Sequence, residues 1–301
     1  MSEIKAIIAG TIAIDSIETP HQKEKNLLGG SACYAALAAS HFSPVGIVSV
    51  VGKDFPEEYS KALKRSDIDL GALEYGEKTF CWHGKYDGDM AQAITLKAEL
   101  NSLESFNPIL PKEYRKVKYV FLANLDPKVQ LNIINQLDKP KFIALDTMNY
   151  WIDSQLENVI NVFRKVDLVV LNDAEAKSII KTNNLIVAGK KILELGPKYV
   201  IVKKGEHGAL LFSKRSHFSA PAFPLEIFLD PTGAGDSFGG GLIGYLAKVD
   251  STKEIDIRRG IIYGSVVASF CVEDFSIRKL EKLTLKQIEA RYGHFKKIQE
   301  F

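Results

Sequence analysis

Asp230-Pro-Thr-Gly-Ala-Gly-Asp236-Ser-Phe-Gly-Gly-Gly241 lies between the strand-like Glu226 to Leu229 and the apolar Leu242-Ile243-Gly244-Tyr245-Leu246. That order reads as a strand, a glycine turn and the opening of a helix. Unbonded amides at such an opening point at one spot and the helix dipole adds positive potential there, so Gly233, Ala234 and Gly235 can hold an anion. Asp236 then needs a reason. A carboxylate repels a bound phosphate, but it is well placed to accept a proton from an attacking hydroxyl. The alternative for the same residues is a helix cap, because Asp is routine at helix starts and glycine often only permits a turn. A dinucleotide fingerprint fits poorly, since its third glycine position holds Phe238, and no segment supplies a P-loop.

Working outward, short apolar runs rich in Val and Ile alternate with segments of helical period. The predicted buried strands are Lys5 to Ala9, Val45 to Val51, Lys118 to Leu122, Phe142 to Asp146, Leu168 to Asn172 and Tyr199 to Lys203. Helices are expected over Ser31 to Phe42, Pro56 to Ser66, Pro127 to Leu137, Ser154 to Phe163, Asp173 to Lys181 and Leu185 to Leu195. This alternation predicts an α/β fold, a mostly parallel doubly wound sheet with helices on both faces. Helical segments from Asp236 to Lys248, Lys253 to Val272 and Thr284 to Lys297 are expected to cover one edge of it. With no internal repeat and no low-complexity linker, residues 1–301 read as one domain.

One region breaks the alternation. Thr79 to Tyr86 and Gln92 to Leu96 flank Asp87-Gly88-Asp89-Met90 and read as a β-hairpin. Phe80, Trp82 and Tyr86 share one parity, so one face of the hairpin is aromatic and must cover something: the main body, another subunit or a ligand.

The 301 residues are 46% hydrophobic and 25% charged, with 39 Lys+Arg against 37 Asp+Glu. That near balance, without a long basic run, argues against nucleic acid or an anionic membrane as partner and points to a small molecule. Cys33, Cys81 and Cys271 are too few and too scattered for a disulfide framework or a Cys/His metal site, which fits a reducing cytoplasm. The opening MSEIKAIIAGTIAID lacks a basic leader, and no apolar run reaches the roughly 18 residues that span a bilayer.

The Asp230–Phe238 stretch resembles the C-terminal signature of the PfkB (ribokinase-like) family of sugar and nucleoside kinases, and the resemblance extends over most of the chain. Leu28-Gly29-Gly30-Ser31-Ala32 is similar to the family's N-terminal Gly-Gly motif, and Gly46 to Asp54 to the strand and Val-Gly-x-Asp turn that follow it. Gly10 with Asp15 resembles the first-strand motif, Asn172-Asp-Ala-Glu175 the Asn-x-x-Glu motif, and Val202 to Gly208 the nucleotide-binding strand and turn. The resemblance implies a ribokinase-like fold with a small β lid built from excursions near 12–28 and 76–98. It implies transfer of the γ-phosphoryl group of ATP to a hydroxyl, with Asp236 as general base and the amides of Ala234 to Asp236 stabilising charge on the transferring group. Glu175 would hold Mg2+ through water, Asn172, Lys203, Gly205 and Gly208 would bind nucleotide, and Asp15, Gly29 and Gly30 would bind the acceptor. It further suggests a monovalent cation such as K+ near Asp230 and Thr232, and a homodimer through the lid.

The chain departs from the family in two places. Tyr34 stands where many sugar kinases carry Asn against substrate hydroxyls, and Trp151 stands where a basic residue is expected after Asp146. A phosphorylated sugar would lose an Arg partner there. Tyr34, Phe80 and Trp82 are suited to stack on a base or an apolar sugar face, or to fill the core, so nucleoside and free sugar both stay open as acceptors. The competing reading from another class is a non-catalytic sugar- or nucleotide-binding module of the same fold.

Overall fold

Strands that are apolar at every position need cover on both faces, and this chain provides it. The computed structural model describes residues 3–64, 67–88 and 90–300. Its strands are β1 (Ala6–Ala9), β2 (Ala13–Glu18), β3 (Lys23–Gly29), β4 (Val45–Gly52), β5 (Ile68–Gly76), β6 (Phe80–Tyr86), β7 (Ala93–Glu99), β8 (Tyr119–Leu122), β9 (Phe142–Asp146), β10 (Leu168–Asn172), β11 (Tyr199–Lys203), β12 (Ala209–Ser213) and β13 (His217–Ala220). Its helices are α1 (Ser31–Ser40), α2 (Glu57–Lys64), α3 (Lys112–Arg115), α4 (Pro127–Asn135), α5 (Asn149–Phe163), α6 (Asp173–Ile180), α7 (Leu185–Glu194), α8 (Ala234–Val249), α9 (Glu254–Cys271), α10 (Arg278–Lys282) and α11 (Leu285–Lys297).

Nine strands form one sheet in the order β13-β12-β11-β10-β9-β8-β1-β4-β5, parallel except for the β11-β12-β13 end. Side chains alternate across it. Ile8, Ile47, Phe121, Ala144, Val170 and Ile201 pack with α1, α8 and α9, while Ile7, Val48, Val120, Ile143, Val169 and Val200 pack with α4, α5, α6 and α7. The expected architecture therefore stands.

The differences are local. The C-terminal helices cover a face of the sheet rather than an edge, because α8 lies between α1 and α9 above β8. Residues 226–229 form no strand; Leu229 donates to Val272 and leads directly into the turn. Helix α5 starts at Asn149, earlier than expected, and breaks its helical geometry at Gln155. Strand β5 was not anticipated: its two glycines and its acids resemble a loop, yet an edge strand needs only one partner, here β4. The β12-β13 hairpin at the other edge escapes notice for the same reason. Ser66, the expected end of α2, and Asp89 in the hairpin turn lie outside the described residues.

A second sheet, β3-β2-β6-β7, contains both excursions, and β2 pairs with β6 in parallel. Ala13, Asp15 and Ile17 lie directly beside Phe80, Trp82 and Gly84, so these side chains share a face. Ile17, Leu27, Tyr86, Met90 and Phe275 form a separate small core against it. Among the described residues no helix is long and apolar enough to cross a membrane.

Helices α1 and α8 approach closely enough that a Cβ on Gly240 would collide with the Ala35 backbone, and one on Gly244 would meet the Ala39 carbonyl carbon at 3.1 Å. Helix propensity alone favours Gly240→Ala by about 1 kcal/mol. Overpacking against backbone outweighs it, so this variant should lose roughly 1–3 kcal/mol in a urea unfolding titration.

Candidate active site

Parallel strands end on one edge, and the register brings three functional groups to it. Asp146, Asn172 and Lys203 terminate β9, β10 and β11, with Asn172 beside Lys203 in the ladder. Lys203 Nζ donates to Asp146 Oδ2 at 2.7 Å and stands 2.9 Å from where a Cβ on Gly235 would sit, so the ammonium lies over the first turn of α8. Burial opposes the Lys203 charge, but Asp146 and Glu175 outweigh it and leave the ammonium more firmly protonated than usual.

Glu175 is only 5% exposed. Its Oε2 accepts from the Asn172 amide at 2.7 Å, while Asn172 Oδ1 accepts from the Glu175 amide at 2.8 Å. This capping box ties the Asn172 side-chain oxygen to its own helix. Burial first and Asp146 second push the Glu175 carboxyl up to about 8, against the pull of Lys203.

Asp236 lies in the first turn of α8 and keeps part of its surface exposed. Burial and Asp146 raise it to about 7, while Lys203 and its own amide act the other way. The turn before it needs Gly233, whose φ is 77° and whose Cβ would run into the Tyr34 ring. The Ala234 amide turns back to the Pro231 carbonyl at 3.1 Å, so it is not the free donor expected from the sequence. The amides of Gly233 and Gly235 have no acceptor among the described residues.

Asp15 projects from the inner face of the small sheet and is 3% exposed. Its Oδ1 has no hydrogen-bond partner, and its Oδ2 fills the space where Gly29 would carry a side chain. Burial, then Asp230, pushes it up to about 8; the Gly30 amide opposes this and Asp236 adds to it. Asp230 is fully buried, accepting from the Thr232 amide at 2.9 Å and the Ser276 amide at 3.4 Å, and burial raises it too. Thr232 Oγ1 donates to Tyr86 Oη at 3.1 Å, joining the small sheet to the turn.

The structure thus links Asp15, against Gly29 and Gly30, to Asp236, after Gly233 and Gly235, and Asp236 to Lys203, Glu175 and Asn172 at the ends of β10 and β11. Tyr34 differs from expectation: it is 1% exposed with its ring against Gly233, so only its unpartnered hydroxyl, near Asp230 and Asp15, is left to meet a ligand. Gly205 (φ 54°) and Gly208 (φ 82°) belong to the β11-β12 turn, Gly205 with open space about it and Gly208 against the Ala220 carbonyl. Asp146 was not singled out from the sequence as a site residue; the available signal was an acid closing a wholly apolar strand. Surface cavities of about 500 and 460 Å3 lie elsewhere, beside Tyr75 and beside Tyr59, and include none of these acids.

Among the described residues no group of three or more His, Cys, Asp or Glu is arranged to hold a metal ion directly. Asp146 nevertheless raises both Glu175 and Asp236 around a single ammonium, an excess of negative charge that suits a cation arriving with a substrate.

A doubly wound sheet with acids at its carboxyl edge, facing a glycine-opened helix, is able to bring an anion and a proton-accepting carboxyl together. Residues 9–282 match the pfkB family of carbohydrate kinases, and the chain belongs to that family. It is 29% identical over 248 residues to a cytidine kinase of Thermococcus kodakarensis, covering 79% of this chain and 87% of that protein. It is 28% identical over 265 residues to a nucleoside kinase of Methanothermobacter thermautotrophicus, covering 85% and 82%. In structure it is similar to the nucleoside kinase of Methanocaldococcus jannaschii, with a TM-score of 0.78 at 21% identity over 98% of this chain and 100% of that one. The protein is therefore a sugar or nucleoside kinase, transferring a phosphoryl group to a hydroxyl.

The raised Asp236 carboxyl has a thermodynamic consequence. Its ordinary value is 3.8 and its folded value about 7, so its protonated form favours folding below pH 4 and that contribution is lost as pH rises through 7. Asp236→Asn should accordingly be more stable than the unliganded wild type by roughly 2–4 kcal/mol at pH 8, with the difference vanishing near pH 4. Denaturant titrations at the two pH values measure it.

Proposed function

We propose that this protein is an ATP-dependent nucleoside kinase in which Asp236 is the general base. The observation that carries the reading is a carboxyl held near neutrality in the first turn of α8, beside the free Gly233 and Gly235 amides. The nucleoside assignment is supported by the cytidine and nucleoside kinases that align with most of the chain.

In this mechanism Asp15 accepts hydrogen bonds from acceptor hydroxyls through its unpartnered Oδ1, and Gly29, lacking a side chain, lets the carboxyl lie against the backbone. Asp236 takes the proton of the attacking hydroxyl as that oxygen bonds to the γ-phosphorus and the bond to the β-phosphate oxygen breaks, releasing ADP. The Gly233 and Gly235 amides, the α8 dipole and the Lys203 ammonium offset charge on the phosphoryl oxygens. Magnesium carried by the nucleotide, held through water near Glu175 and Asp146, would draw charge from the phosphates. Paired with that cation, the raised Glu175 carboxyl would ionise more readily. The four-stranded sheet serves as a lid that keeps water from competing with the alcohol.

A panel of cytidine, uridine, adenosine, inosine, fructose and inositol, read by acceptor-dependent ADP release, should show turnover with at least one nucleoside. Sugar-only turnover overturns the nucleoside assignment, and no turnover at all returns the protein to a binding module. Asp236→Asn should lower kcat by about 10²–10⁴-fold with nucleotide binding retained; near wild-type turnover removes Asp236 from its role. In the wild type, kcat/KM should climb from pH 5.5 and level off above about 7, the value to which Asp236 is raised.

A further inference from the structure

Trp82 sits directly beside Asp15 in the β2-β6 register, so both side chains leave the same face of the small sheet. The indole does not stand upright. Its six-membered ring lies over Gly84, where any Cβ would collide with it, and Trp82 Nε1 donates to Thr95 Oγ1 at 3.2 Å.

That hydrogen bond depends on an irregularity in the neighbouring strand. Cys81, Trp82 and His83 pair in step with Glu99, Ala98 and Lys97, but Gly84 then pairs with Thr95, so Leu96 is the extra residue of a bulge. An unbroken ladder would set Leu96 opposite Gly84 and leave the indole N–H without its acceptor. Gly84 and the bulge together hold the ring flat along the sheet. One ring face is covered by the glycine, and Trp82 remains only partly buried, at the border of the small core of Ile17, Leu27, Tyr86, Met90 and Phe275.

We propose that Trp82 is the base platform of the acceptor site, taking by stacking the flat heteroaromatic ring of a nucleoside whose ribose hydroxyls reach Asp15. This rests on the nucleoside reading above. An indole already fixed by Gly84 and Thr95 loses little freedom on stacking, and aromatic faces accept any flat base, so the platform selects nucleosides over free sugars more than one base over another.

The test uses the best nucleoside found for the wild type. Trp82→Ala should raise its KM about tenfold, with kcat and the KM for ATP within about twofold, and Trp82→Phe should recover most of the loss. Gly84→Ala, which keeps the tryptophan but displaces it, should raise the nucleoside KM in the same direction. In a Trp151→Phe background, where Trp82 is the remaining tryptophan, nucleoside should quench fluorescence saturably while ribose does not. An unchanged nucleoside KM in Trp82→Ala, or Trp82 emission indifferent to saturating nucleoside, overturns the platform while nucleoside kinase activity stands. Wild-type turnover confined to sugars overturns both.

Discussion

Too many carboxyl groups meet too little positive charge at the carboxyl edge of the main sheet, and the rest of the site follows from that imbalance. Asp146, Glu175 and Asp236 share Lys203, and Asp230 raises Asp15 a short way off. Burying ionised acids without counter-charge is costly, so Asp15 and Glu175 are pushed up to about 8 and Asp236 to about 7. The protonated form of Asp236 is thus the one that folds best, and a cation arriving at this edge favours the ionised form.

The scaffold keeps this arrangement from relaxing. Each acid is placed by backbone rather than by a flexible loop: Asp146 by the end of a buried strand, Glu175 by a capping box, Asp230 by two amides. Helix α8 is set against α1 through glycines, and its opening turn rests on the Tyr34 ring. Val272, just past α9, accepts from both Leu229 and Asp230, so the chain enters the turn from a fixed point. The small sheet is bound to the same turn through Tyr86 and Thr232, which couples it to the opening of α8.

Much of this was legible in the chain. Six buried strands have lengths and apolar character that admit little else, and their order predicts the doubly wound sheet. The spacing of Gly233, Gly235 and Asp236 identifies the helix opening, because only glycine accepts the backbone that Gly233 adopts. Edge strands β5 and β13 were hidden, since a strand paired on one side and wet on the other carries no uniform apolar run. The stretch 226–229 has strand-like composition but becomes irregular, because its hydrogen bonds go to the end of α9 instead of a neighbouring strand.

The sequence by itself determined the fold class, the glycine turn that opens α8 and the place of Asp236 in its first turn, because these depend on periodicity and on residues within one local segment. Only the tertiary structure decided that Asp146 joins the site, that Ala234 spends its amide on Pro231, that Tyr34 stands behind the turn and that Trp82 lies flat beside Asp15. Those outcomes rest on strand register, a one-residue bulge and the electrostatics of buried acids brought together from distant segments. Each is a property of distances between segments, which no local pattern encodes.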